Sequence, residues 1–381
     1  MLTLALPLGN TFGWGVCGKY LARELSRLAP VQLLTPPFGA EAIGDEFEYS
    51  ELRRIYVDQE AAAFRFGDAA PFPALQAVTG HNLLPMEPRL RGRRNVGYTA
   101  FEISHLPRQS IENARHHFDR MVATSTWCRD ILREHGLEEA EVVLQGVDQA
   151  FFNMFENQKV FFQDRFVVFS GGKFELRKGQ DLVIRAFQVL QERHDDVLLV
   201  NAWFNHWEGT ARTMAASPHI DFDYQGGDHC AAINRLLAAN GIDLDRVITL
   251  PAKPQTAMAR IYKNTDCGLF PNRCEAGSNL VLMEYMACGK PALVSDSSGH
   301  RDVASDGNAL LLKDLRPLTI SVSGGVTTVW DEPALDEIIE ALEWAYRHRD
   351  ALRDIGDAAG VSMQQLSWAA AAKQLYHYLS E

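Results

Sequence analysis

The chain has no C-x-x-C pair, no long apolar run and no low-complexity tract, and each absence removes a class of protein. Its six cysteines, Cys17, Cys128, Cys230, Cys267, Cys274 and Cys288, are scattered, which fits neither a zinc site nor a disulfide framework. Several fall in apolar text, so buried free thiols in a reducing compartment are expected. No apolar run is long enough for a membrane-spanning helix. The opening MLTLALPLG lacks a basic leader and a cleavage motif, so it reads as a first strand and not as a signal peptide. Positive charge is also scarce: 37 basic against 49 acidic residues leave a net charge of −12. That argues against general nucleic-acid binding, which needs clustered Lys and Arg. One stretch, RLRGRR, departs from this and groups Arg89, Arg91, Arg93 and Arg94. It reads either as a solvated loop or as a contact for an anionic acceptor or lipid headgroups.

What is present is a rhythm. The 381 residues suit two domains. LTLALPL, VQLLTP, NVGYTAF, RMVATS and EVVLQGVD are strand-like, with helical text such as GKYLARELSRLA and SIENARHHF between some of them. The rhythm restarts at FVVFSGGKFELRKGQDLVIRAF and continues through VLLVNAW, RVITLPA, CGLFPN and PALVSD. The expected fold class is α/β: two facing, doubly wound, Rossmann-like domains, 1–160 and 161–360, with the boundary near 157–165. A last helix, 361–381, should pack back toward the first domain. Ligand would bind in the crevice at the carboxyl ends of the strands.

Three stretches could carry chemistry. In LPLGNTFGWGVCGKYL, the glycines Gly13, Gly15 and Gly18 give the G-x-G-x-x-G spacing of a dinucleotide turn. No acidic residue closes the following VQLLTPP, so a turn admitting a ligand or the facing domain competes with that reading. In SGGKFELRKGQD, the cations Lys173, Arg177 and Lys178 sit beside glycines at a strand end, where a diphosphate could be held. In PNRCEAGSNLVLMEYMACGKP, Glu275 lies in a loop, Ser278 or Asn279 can cap a helix, and Glu284 lies part-way along it. Phosphates would sit over that helix N-terminus, with Leu280 in its first turn. Ribose hydroxyls would partner Glu284, and a transferred sugar would partner Glu275. Two unrelated structural carboxylates are the plainer alternative.

The last segment resembles the paired-glutamate motif of the retaining GT-B glycosyltransferases, family 4 (group 1 glycosyltransferases). FSGGKFELRKGQDLVIRAF is similar to that family's Gly-Arg-Leu–loop–Lys-Gly segment, with Lys173 at the Arg position and Lys178 at the Lys. VVLQGVDQAFF, VATSTWCRDILREHG, VITLPAKPQTAMARIYKNTDCGLFP and SSGHRDVASDGNALLL resemble further family segments in the family's order. Two departures stand out. One extra residue separates the glutamates and must sit in the turn, since inside the helix it would rotate Glu284 by about 100°. Lys173 keeps the charge of the Arg it replaces but loses the bidentate fork. His81 is the candidate for the family's active-site His, and Glu102, in YTAFEISHLP, the acceptor-side candidate.

The resemblance implies a retaining transfer from a nucleoside-diphosphate sugar to a hydroxyl acceptor, anionic and lipid-linked acceptors included. Glu275, His81 and Glu102 would be catalytic. Lys173, Lys178, Ser278, Asn279, Leu280, Glu284, Gly13 and Gly15 would hold the donor. No cofactor and no metal are expected, the location would be cytoplasmic or at the cytoplasmic membrane face, and no nucleic acid would bind. The competing readings are an NAD-dependent oxidoreductase on the Gly13 turn, a metal-dependent transferase using the Asp221–Asp223 triplet, and a non-catalytic sugar-binding protein.

Overall fold

The computed structural model describes residues 1–58, 70–205, 207–224, 227–322 and 325–381. The first sheet contains β1 (Leu2–Ala5), β2 (Val31–Leu34), β3 (Tyr56–Val57), β4 (Ala74–Thr79), β5 (Leu84–Pro85), β6 (Asn95–Ala100), β7 (Arg120–Ala123) and β8 (Glu141–Val142). Its order is β3-β2-β1-β4-β6-β7-β8, all parallel, with β5 antiparallel on β4. The second contains β9 (Phe166–Gly171), β10 (Val197–Ala202), β11 (Val247–Thr249), β12 (Cys267–Phe270), β13 (Ala292–Ser295) and β14 (Leu310–Leu312), in the parallel order β11-β10-β9-β12-β13-β14. Helices cover both faces of such sheets, which is why LTLA and FVVFSG are buried along their whole length and do not alternate.

The first glycine-rich stretch folds differently from its reading as a turn. The helix begins at Gly13 and runs to Leu28, so Gly13, Gly15 and Gly18 are helical. A Cβ on Gly18 would come within 2.0 Å of the Pro7 carbonyl, and one on Gly15 within 2.7 Å of the Gly9 backbone. These glycines let the loop leaving β1 lie directly on the helix, a contact that offsets their low helix propensity.

The chain's end returns to the first sheet. Ser367 caps a helix, Trp368–Ser380, by accepting from the Ala370 N–H. Trp368 stacks on Tyr20 with centroids 5.3 Å apart, and Leu375 and Leu379 are buried in the first domain's core. Arg94 donates to the Tyr378 carbonyl and pairs with Glu381. No described helix is long and apolar enough to cross a membrane.

A further element went unread in the sequence. β15 (Leu315–Val322) and β16 (Val326–Pro333) form an antiparallel hairpin outside both sheets. Its signal was available: LTISV and VTTVW alternate around a glycine pair. Residues 323 and 324 at its tip lie outside the described residues.

Candidate active site

The carboxyl ends of both sheets open onto one cleft of about 440 Å³. The first domain contributes Asn10 to Trp14, Gly80, Ala100, Glu102, Thr124 and Gln145. The second contributes Lys173, Arg177, Lys178, Lys253, Gln255, Tyr262, Glu275, Asn279 to Val281 and Glu284, among others. The walls touch directly: the Gln255 N–H donates to the Asn10 carbonyl at 2.9 Å, and the Ser125 hydroxyl to the Ala276 carbonyl at 2.7 Å.

The basic loop after β9 is drawn under the glutamate loop by Gly179. Its φ is +71°, and a Cβ there would lie 2.2 Å from the Pro271 carbonyl, so only glycine fits. The approach brings the Lys178 ammonium to 2.5 Å from Glu275 Oε1. Arg177 donates to the same oxygen at 3.4 Å and to the Cys274 carbonyl at 3.2 Å, and the Asn272 amide also donates to Glu275. Burial alone would raise the Glu275 carboxyl, but Lys178 and then Arg177 outweigh it and hold it at about 2. Arg177 also pairs with Glu175 at 2.7 Å and, across the cleft, with Glu102 at 3.4 Å. Lys173 pairs with Glu175 at 3.0 Å and lies 5.2 Å over the Trp207 ring.

The helix after the loop runs Leu280–Ala287. Asn279 caps it from a left-handed conformation, φ +63°, its side-chain oxygen accepting from the Leu282 N–H. Glu284, part-way along this helix, faces the cleft. The Asn279 amide nitrogen donates to His300 Nε2 at 3.0 Å, so its side chain is committed to the protein. Glu284 accepts from Gln255 Nε2 at 2.5 Å and, at 3.5 Å, from the Tyr262 hydroxyl. With no cation paired to it among the described residues, burial dominates and pushes its carboxyl up to about 8.

Glu102, Glu275, Lys173, Lys178, Asn279, Leu280, Glu284 and Gly13 all line the cleft. Three others among the expected residues do not. Gly15 is buried beneath the wall because the helix starts two residues earlier. Ser278 is fully buried, its hydroxyl without a hydrogen-bond partner among the described residues. His81 follows Gly80 in the turn after β4, and only Gly80 reaches the lining. Asp221 and Asp223 lie off the cleft too, the Asp221 N–H donating to Asn240 at 2.8 Å. The arginines of RLRGRR precede β6, at the amino end of the strand whose carboxyl end meets the cleft. Gln255 and Tyr262, which grip Glu284, were missed; no periodicity marks them, and only the fold brings them to that helix.

Residues 164–320 match the family model described as Glycosyl transferases group 1. No curated protein matches the chain by sequence. Among solved structures, sucrose-phosphate synthase from Thermosynechococcus elongatus is similar at a TM-score of 0.68 and 15% identity, covering 99% of this chain and 97% of its own. Anabaena HepE, solved in complex with UDP-glucose, gives 0.63 and 14%, covering 100% and 99%. Alpha,alpha-trehalose 6-phosphate synthase from Burkholderia multivorans gives 0.64 and 12%, covering 100% and 98%. Residues 164–320 thus resemble the group 1 glycosyl transferases, within a two-sheet GT-B fold that runs the length of the chain.

Proposed function

We propose that the protein is a retaining glycosyltransferase of family 4 that moves a sugar from a nucleoside-diphosphate donor to a hydroxyl acceptor without a metal. One observation carries the reading: Glu275, clamped by Lys178 and Arg177, lies at the N-terminus of the helix that also presents Glu284 to the same cleft. In this reading the diphosphate lies over the first turn of that helix, whose N–H groups have no intrahelical partner. Lys178, Arg177 and Lys173 face the charge that grows on the departing diphosphate, a preorganised electrostatic contribution. Glu275 accepts from hydroxyls of the transferred sugar, and Glu284 from the ribose. The acceptor hydroxyl attacks from the face the diphosphate leaves, which retains the anomeric configuration.

UDP is the favoured nucleotide, because HepE binds UDP-glucose within the same fold. Among the described residues of the first domain that line the cleft, Glu102 alone is charged, which suits an uncharged hydroxyl acceptor better than an anionic one. A cytoplasmic location fits six free cysteines, five of them buried.

A thermal-shift screen tests the donor. A UDP-sugar should raise Tm by linkage, and NAD should not. Transfer should survive excess chelator, and NMR of the product should show the donor's anomeric configuration. Stabilisation by NAD and by no nucleotide sugar would reject the reading.

A further inference from the structure

The β15–β16 hairpin belongs to neither sheet, and a lone two-stranded hairpin is marginal in water. Its order must come from what it packs against, and it packs against both domains. Trp330 is buried in the second domain's core, with Ile320 and Val322 against the same cluster. Val322 and Val326 also contact the first domain's cluster around Phe101 and Ile103.

Polar contacts repeat this double attachment. At the base, the Asp331 N–H donates to the Arg273 carbonyl at 3.1 Å, and Glu332 accepts from Arg273 Nε at 2.6 Å. Arg273 is fully buried, pairs with Asp181 through two bonds, and precedes Cys274 and Glu275 in the donor loop. Further out, the Trp330 indole N–H donates to the Glu102 carbonyl at 2.7 Å. The Thr328 hydroxyl accepts from the Ser104 N–H at 2.8 Å, and the Val329 N–H donates to the Ser104 hydroxyl at 3.2 Å. One arm thus starts at the loop carrying Glu275 and ends on the loop carrying Glu102.

We propose that this hairpin is an interdomain clasp, and that Trp330 and Thr328 are positioning residues that set Glu102 against the donor site. The proposal rests on the glycosyltransferase reading for its kinetic consequence, but not for its structural one. Glu102 follows β6 in an irregular segment, and among the described residues only its weak pair with Arg177 otherwise ties its side chain across the cleft. The clasp fixes the backbone on which that side chain is mounted.

Hydrogen exchange and kinetics on the full chain test it. Thr328→Val keeps shape and removes the acceptor for the Ser104 N–H; Trp330→Phe removes the donor to the Glu102 carbonyl. In each, amides of 101–106 should exchange faster by about fivefold or more, and those of 275–284 should not. With UDP-glucose as donor, the apparent acceptor KM should rise by about threefold or more at unchanged UDP-glucose affinity. Unchanged exchange at 101–106, or equal loss of donor affinity, would overturn the clasp. If the parent transfers no sugar, the functional reading fails, and the exchange result still decides the clasp.

Discussion

Glu275 and Glu284 lie on one loop and the helix it caps, both buried, and burial raises the carboxyl of each. They end at opposite extremes. Glu275 meets an ammonium at 2.5 Å and a guanidinium at 3.4 Å and is held at about 2. Glu284 meets the neutral donors Gln255 and Tyr262 and is pushed up to about 8. The cation that lowers it, Lys19, is committed to Glu48 at 2.9 Å. Partners, not depth, separate the two. One end of the cleft favours the charged carboxylate, and the other favours the neutral acid.

Removing the ammonium breaks the comparison most forcefully. Lys178→Ala leaves Glu275 buried with a longer pair to Arg177, and loss of one partner of a buried pair costs about 3–5 kcal/mol. The low end is expected because Arg177 remains, with urea unfolding as the measurement. Lys178→Met combined with Glu275→Gln should recover most of that stability while sugar transfer stays lost. A double variant as unstable as the single one would show that the pair is not the source.

pH sharpens the contrast. The folded value of Glu284 lies above its ordinary 4.5, so its stabilising contribution is complete below about pH 4.5 and is lost as pH rises toward 8. The folded value of Glu275 lies below 4.5, so its contribution is present above that pH and is lost as pH falls toward 2. Glu284→Gln should therefore flatten the fall in Tm between about pH 5 and 8 and leave the acid limb in place. If ribose hydroxyls seek the ionised form, UDP-glucose affinity should climb with pH toward 8, by at most about tenfold per pH unit. Calorimetry across pH checks this, and Glu284→Gln should abolish the trend.

Glu102 offers a smaller effect. Its pair with Arg177 is long and a third exposed, so Glu102→Gln should change stability by under about 1 kcal/mol while raising the acceptor KM. The smallest expectation concerns the arginine cluster. Arg91 and Arg93 lie a strand's length, roughly 20 Å, from the cleft end of β6. Their change to Gln should leave acceptor kinetics unaltered even at low ionic strength, where screening is weakest. A raised acceptor KM there would bring back the anionic-acceptor reading.

Much of the second domain's side of the cleft was legible because its signals are local. A strand end, two adjacent glycines, three cations and a helix start fall within the ten residues from Gly171 to Gln180, and the glutamate segment repeats that economy. The failures are instructive in the same terms. Ser278 and Asn279 are both good caps in sequence, and only the left-handed backbone at Asn279 decides which one caps. His81 follows a strand, as expected, but strand ends do not say which side chain turns inward. The helix from Gly13 runs through Gly15 and Gly18 because their close approach to Gly9 and Pro7, which propensity does not register, offsets glycine's low propensity.

By itself, the sequence determined the two runs of buried parallel strands, the glycine turn after the strand at 166–171, and the placing of Glu275 before a helix and of Glu284 within it. Those follow from periodicity and backbone stereochemistry, which act over a few residues. Tertiary structure alone decided that the Glu275 carboxyl is held down at about 2 while that of Glu284 is pushed up to about 8, that Gly15, Ser278 and His81 stay off the cleft, and that a hairpin at 315–333 reaches back to the loop at 102–104. Charge state depends on what is packed within a few ångströms, and packing joins residues more than two hundred positions apart, a distance over which no local pattern carries information.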